Sequence, residues 1–125
     1  MQLEHKPINF EDARGSIRDI IAGFDVDSIT IITCKTGAVR GNHFHKKTIQ
    51  HTYVVNGKLV YATQQGDGPI ETATVETGDL TIDLPNSKHA FKALENSVII
   101  QMSKGPRQGE NYEEDTFHLD KLILE

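Results

Sequence analysis

His43 and His45 stand one residue apart, and Gln50 follows with four residues between. An imidazole gains and loses its proton near neutral pH, and its unprotonated nitrogen also binds metal ions. Side chains on a β-strand alternate between its two faces, so two histidines at this spacing share one face and Phe44 takes the other. If Gln50 faces the same way, Thr52 and Val54 join it while His51 and Tyr53 point outward. The chemistry open to such a cluster is proton transfer or metal ligation. Gly37 precedes the pair by five intervening residues, and Gly57 follows Gln50 by six. The cluster is thus framed by residues that permit tight backbone turns.

Strands must position these groups. Ser28–Cys34 contains Ile29, Ile31 and Ile32 among threonines and is the clearest strand before the pair. His51–Val55 and Lys58–Thr63 flank Asn56-Gly57, which reads as a hairpin signal. Ile70–Glu76 is a further strand, and Leu80, Ile82 and Leu84 alternate with Thr81 and Asp83 in a half-buried pattern. His89–Leu94 and Val98–Ser103 complete the strong strands. Met1–Phe10 is expected to pair with a neighbouring element or another subunit, and Asp12 to Gly15 reads as a turn. Gly105–Asn111 reads as a loop, with a short helix or final strand over Tyr112–Glu125. Short strands at about ten-residue spacing, punctuated by Gly, Pro and Asn, predict an all-β sandwich or barrel in a single domain, 1–125.

Composition narrows the classes. The chain has 125 residues and a net charge of −5. No apolar run approaches a membrane span and no signal peptide is visible, which leads to the expectation of a soluble, cytoplasmic protein. The single cysteine, Cys34, cannot form an intramolecular disulfide and is expected to be buried. Ser28 to Gly66 holds Lys35, Arg40, Lys46, Lys47 and Lys58 but no Asp or Glu, so it stands at +5 and the remainder at −10. That segment suggests a pocket mouth attractive to an anion such as phosphate. The basic residues are too few and dispersed for a nucleic-acid surface. His5, His51 and His118 are read as surface residues.

The spacing of Gly37, His43, His45, Gln50 and Gly57 resembles the first motif of the cupin superfamily, with Gln50 where that family usually has Glu. Gly78, Pro85 and His89 resemble its second motif, with the Pro one place late. The resemblance implies a double-stranded β-helix, the cupin jelly-roll barrel, in which His89 joins His43, His45 and Gln50 inside. Those four residues would then be ligands for one divalent metal ion, Zn, Fe, Ni or Mn.

Arg40-Gly-Asn-His43-Phe-His45-Lys46 is more narrowly similar to RmlC-like cupins that act on nucleotide-activated deoxysugars. These include dTDP-4-dehydrorhamnose 3,5-epimerases and dTDP-4-keto-6-deoxyglucose 3,4-ketoisomerases. The Asp12-Ala-Arg-Gly15 turn and the acidic Asn111-Tyr-Glu-Glu-Asp-Thr116 segment extend the similarity. The same motif resembles the metal-binding cupin domain of capsular-polysaccharide epimerases, where Glu replaces Gln50.

The shared chemistry implies an isomerase that moves a proton beside the ketone of a 4-keto-6-deoxyhexose nucleotide. His43 or His45 would be the base, and Arg40 would hold the diphosphate or the developing oxyanion. Lys46 and Tyr61 are candidate substrate contacts, and Tyr53 a candidate acid or stacking partner. Alternatives are a metal-dependent cupin of another class, such as a small dioxygenase, and a non-catalytic sugar-binding protein. The expected partners are a small anionic sugar-nucleotide-like ligand and a second copy of the chain in a homodimer. The sequence contains no Trp and no aromatic-rich segment to stack a base.

Overall fold

The computed structural model describes residues 1–106 and 109–125. Its strands run, in chain order, β1 (Gln2–His5), β2 (Phe10–Asp12), β3 (Gly15–Ile17), β4 (Ser28–Cys34), β5 (Val39–Phe44) and β6 (Ile49–Asn56). Then follow β7 (Lys58–Gln65), β8 (Glu71–Glu76), β9 (Asp79–Asp83), β10 (Ser87–Ala93), β11 (Ser97–Lys104) and β12 (Phe117–His118). One five-stranded antiparallel sheet has the order β1-β9-β6-β11-β4 and the other β12-β5-β10-β7-β8, with β2 and β3 as a small hairpin. This is the expected double-sheet jelly roll.

One end of the space between the sheets is apolar. Val54, Leu59, Tyr61, Val75, Phe91 and Ile99 pack there with Cys34. Each fully buried aliphatic side chain in such a core contributes about 1.5–3 kcal/mol. The other end of the same space carries the imidazoles.

Three expectations about packing are corrected. Asn56-Gly57 does not make a hairpin, because β6 and β7 lie in different sheets. Gly57 instead turns a corner at φ +110°, so tightly against Ser97 that a side chain would collide with it. Second, β9 has the opposite facing to the one its apolar residues imply. Thr81 and Asp83 are the fully buried interior residues, whereas Leu84 is 45% exposed. Leu80 and Ile82 face the far side of their sheet, where Ile20, Ile21 and Val26 cover them.

Third, that cover also buries His51 and Tyr53, which alternation placed at the surface. His51 packs edge-on against Phe24 at 4.9 Å, and Tyr53 accepts a hydrogen bond from Arg18. The tail after β11 is mostly irregular, and the final strand expected within Tyr112–Glu125 is the two-residue β12. Gly109–Asn111 forms one 3-10 turn, β12 pairs with β5, and Ile123 packs on Ala62 and Ala90. Residues 107 and 108 of the expected Gly105–Asn111 loop lie outside the described residues.

The N-terminal expectation is met by β1, which pairs with β9. Cys34 is buried. At the free side of the first sheet, β4 presents Ile29 and Ile31 at 67% and 70% exposure. Among the described residues no helix is long and apolar enough to cross a membrane.

Candidate active site

The Arg-Gly-Asn-His run is a built irregularity in β5. The β5–β10 register jumps between His89, opposite His43, and Ala90, opposite Gly41, which leaves Asn42 as the extra residue of a bulge. Gly41 runs so close to β10 that a Cβ there would meet the His89 carbonyl oxygen at 2.8 Å and Ala90 Cα at 2.9 Å. Asn42 has φ +55°, a left-handed conformation that Asn tolerates better than most residues. Its side-chain oxygen accepts from the Ile123 and Leu124 amides, and its Nδ2 donates to the Leu124 carbonyl. The bulge thus aims His43 at His89 and ties the C-terminal tail to the back of the same strand.

The three imidazoles cluster with ring centroids 4.9 Å apart for His43–His45, 4.7 Å for His43–His89 and 5.1 Å for His45–His89. His45 Nδ1 lies 2.9 Å from the Asp115 carbonyl oxygen, and His89 Nδ1 lies 3.1 Å from that of Ser87. A carbonyl only accepts, so both Nδ1 atoms carry the proton and both Nε2 atoms are the basic nitrogens. Both Nε2 atoms are buried without a protein partner. Gln50 donates from Nε2 to Gln101 Oε1 and Ser103 Oγ, each at 3.3 Å, which leaves its buried Oε1 unpartnered.

These groups line a cavity of about 320 Å³, near the lower end for small-molecule sites. Its apolar walls include Ile32, Val39, Phe91 and Ile99, and Arg40 stands on its rim. Arg40 donates from Nη2 to the Thr33 carbonyl at 2.8 Å, which bridges β5 to β4 of the opposite sheet.

Behind the imidazoles lies a second polar layer. Asp83 Oδ1 accepts a short hydrogen bond from the Tyr61 hydroxyl and lies 3.8 Å from His89 Nδ1. Burial pushes the Asp83 carboxyl up to about 7. Burial, helped by Asp83, raises the Tyr61 hydroxyl far above its ordinary value. Burial first, and His45 second, lower His89 to about 3, so its ring is neutral.

The structure brings His43, His45, Gln50, His89 and Arg40 together, as the sequence reading grouped them. It separates two other candidates. Tyr61, expected as a substrate contact, is fully buried, and its hydroxyl is committed to Asp83. Lys46, also expected to touch substrate, lies with its ammonium 4.1 Å over the Phe117 ring rather than on the cavity wall.

Of the five basic residues in the acid-free segment only Arg40 lines the cavity, so the expected basic mouth reduces to one guanidinium. The tail brings acid instead. Glu113 lies on the rim, 3.1 Å from His118. His118, read as a plain surface residue, is exposed yet lines the cavity, 5.8 Å from His43.

Asp83, Gln101 and Asp115 escaped the sequence reading. Asp83 looked like the solvent side of an alternating strand, and Gln101 carried no spacing signal. The acidic tail segment was noticed, but not its contact with His45. Tyr112, 55% exposed on the rim, supplies an aromatic ring that composition alone had seemed to lack.

The same atoms fit a metal ion. Ring nitrogens of His43, His45 and His89 all lie within 4.8 Å of one another. Three imidazoles with an amide oxygen alongside suit zinc or another late divalent ion.

A profile of the polysaccharide biosynthesis C-terminal domain family matches residues 10–106. No curated protein matches the sequence. Among solved structures, the dTDP-4-dehydrorhamnose 3,5-epimerase of Sulfolobus tokodaii is similar, with TM-score 0.77 and 17% identity over 93% of this chain and 75% of its own. The sugar 3,4-ketoisomerase QdtA of Thermoanaerobacterium thermosaccharolyticum, in complex with TDP, gives TM-score 0.78 and 18% identity over 94% and 87%. The capsular polysaccharide assembling protein CapF of Staphylococcus aureus gives 0.66 and 23% over 93% of this chain, which spans 34% of CapF. At these identities the likeness establishes the fold, the antiparallel double-sheet jelly roll.

Proposed function

We infer that this chain, which belongs to the polysaccharide biosynthesis C-terminal domain family, is a nucleotide-sugar epimerase or isomerase. It moves a proton on carbon next to the ketone of a 4-keto-6-deoxyhexose nucleotide. The observation that carries the reading is a buried imidazole, His45, with its proton fixed on Nδ1 and its basic Nε2 without a protein partner, in a ring that lines the cavity Arg40 borders. A general base needs that arrangement, a lone pair aimed at the reacting carbon and a partner holding the other nitrogen. The proton leaves the carbon for His45 Nε2, and its electron pair becomes the enolate. Return of a proton to either carbon of the enediol, or to the opposite face, gives isomer or epimer with no net redox change.

Arg40, at the rim, suits the diphosphate because its fork matches phosphate oxygens in pairs. Support for the substrate class comes from fold relatives solved with TDP and with TDP-4-keto-6-deoxyglucose. Incubation with dTDP-4-keto-6-deoxyglucose in deuterated water is expected to add deuterium beside the ketone, and His45→Ala to abolish that gain. Absence of exchange with every 4-ketohexose nucleotide tried would sink the reading.

The unpartnered buried His45 Nε2, His89 Nε2 and Gln50 Oε1 favour a second reading, a divalent ion held with His43. A bound ion would supply Lewis-acid stabilisation of the developing oxyanion. Elemental analysis of purified protein beside His89→Ala decides it. About one equivalent of metal in wild type, lost in the variant, is the supporting result, and metal-free wild type after reconstitution is the opposing one. The exposed Ile29 and Ile31 on edge strand β4 further support a homodimer, since pairing two such edges covers both.

A further inference from the structure

We propose that Asp115 is a positioning residue that fixes His45 in one tautomer, so that the C-terminal tail and not the barrel prepares the basic nitrogen. The argument rests on two sets of contacts from one residue. The Asp115 carbonyl oxygen accepts from His45 Nδ1 at 2.9 Å. The Asp115 carboxylate accepts from the Lys46 amide at 3.1 Å, the Lys47 amide at 2.8 Å and the Thr48 hydroxyl at 2.8 Å. The three residues that follow His45 are therefore tied to the residue that receives its ring proton. Backbone and imidazole cannot shift independently.

Both His45 and Asp115 are buried, so water is a poor substitute for either contact, and an unmade buried bond is costly. No other described strand supplies this carbonyl. β5 ends at Phe44, one residue before His45, and β6 begins at Ile49. His45 thus stands in a connection outside the barrel ladders: the Asn86 amide donates to its carbonyl at 2.6 Å, and the Asp115 carboxylate holds the three residues that follow it. The hydroxyl of Thr116 also lies 3.5 Å from the same Nδ1, farther than the Asp115 carbonyl.

A side-chain amide cannot do the same work. In Asp115→Asn one acceptor oxygen becomes an NH2 that faces the Lys46 amide or the Lys47 amide and Thr48 hydroxyl, so donor meets donor. The carbonyl is still present but no longer held in place. Asp115→Glu keeps both acceptor oxygens and is the conservative control.

Long-range proton–nitrogen NMR of the resting protein reads the tautomer directly and needs no substrate. In wild type His45 is expected as a single species with its proton on Nδ1, and in Asp115→Asn as a mixture of both tautomers. The kinetic arm rests on the epimerase or isomerase reading: kcat for deuterium exchange falls about ten- to a hundredfold in Asp115→Asn, with KM changed less than about twofold. Asp115→Glu restores much of both.

A wild-type His45 protonated on Nε2 would overturn the proposal. So would an Asp115→Asn protein that keeps the pure Nδ1 tautomer. If Asp115→Asn fails to fold, Thr48→Val removes one donor from the carboxylate and is expected to give a smaller tautomer mixture, and an unchanged spectrum there counts against the proposal. A wild type without exchange activity defeats the function reading alone, because the NMR result stands apart from it.

Discussion

His89 shows what burial does to a single side chain. Its ring is neutral in the folded protein down to pH about 3, whereas in an unfolded chain a histidine takes up a proton near 6.5. The unfolded state therefore binds more protons below that pH, and stability falls as pH drops from about 6.5 towards 3, by about 1.4 kcal/mol for each unit at most. Asp83, held up to about 7 by burial, takes up its proton in the folded state over the same window and opposes this loss, so the His89 contribution is read as a difference between proteins. In urea unfolding at pH 7 and 4.5, His89→Gln is expected to gain stability relative to wild type on acidification, and an unchanged difference would assign no such role to His89. The imidazoles were legible in sequence because a spacing of two places side chains on one face whatever else surrounds them. Asp83 and Asp115 were not. An aspartate in an alternating strand reads as solvent-facing until its partner is known, and Asp115 reaches His45 through a backbone carbonyl, which leaves no mark in residue type.

Strands were largely readable from β-branched runs and turn residues, and Ser28–Cys34 was placed to the residue. Their partners were harder to read. Asn56-Gly57 had the composition of a hairpin, but corner and hairpin both require a residue at positive φ, and only the sheet order separates them. The facing of β9 and the burial of His51 depended on a covering segment, residues 18–27, that has no regular structure to recognise. The bulge at Gly41 and Asn42 gives the sharpest test at this scale. In Gly41→Ala the new methyl meets β10 backbone at 2.8–2.9 Å, and backbone cannot swing aside as a side chain can. The variant is expected to lose roughly 2 kcal/mol or more in urea unfolding, and with it the alignment of His43 on His89. Stability and exchange activity equal to wild type would show that β5 is held by something else.

Among the sheet edges of the described residues, β4 is the one whose Ile29 and Ile31 face solvent. A lysine there should discourage edge pairing. Sedimentation of wild type as a dimer and of Ile31→Lys as a monomer is the expected result, and a wild-type monomer at all concentrations would remove the dimer from the reading. The tail, tied to the barrel through Asn42 and Asp115, is separated from its anchor points by 67 to 82 positions in sequence. That distance has a temporal meaning. On the ribosome the histidines leave the exit tunnel long before residues 115–124 do, so a nascent chain can assemble most of its barrel while His45 still lacks its anchor. A chain exposed only as far as the histidines lacks the carbonyl that holds His45 Nδ1, so that imidazole reaches its held position only once the segment around residue 115 has docked.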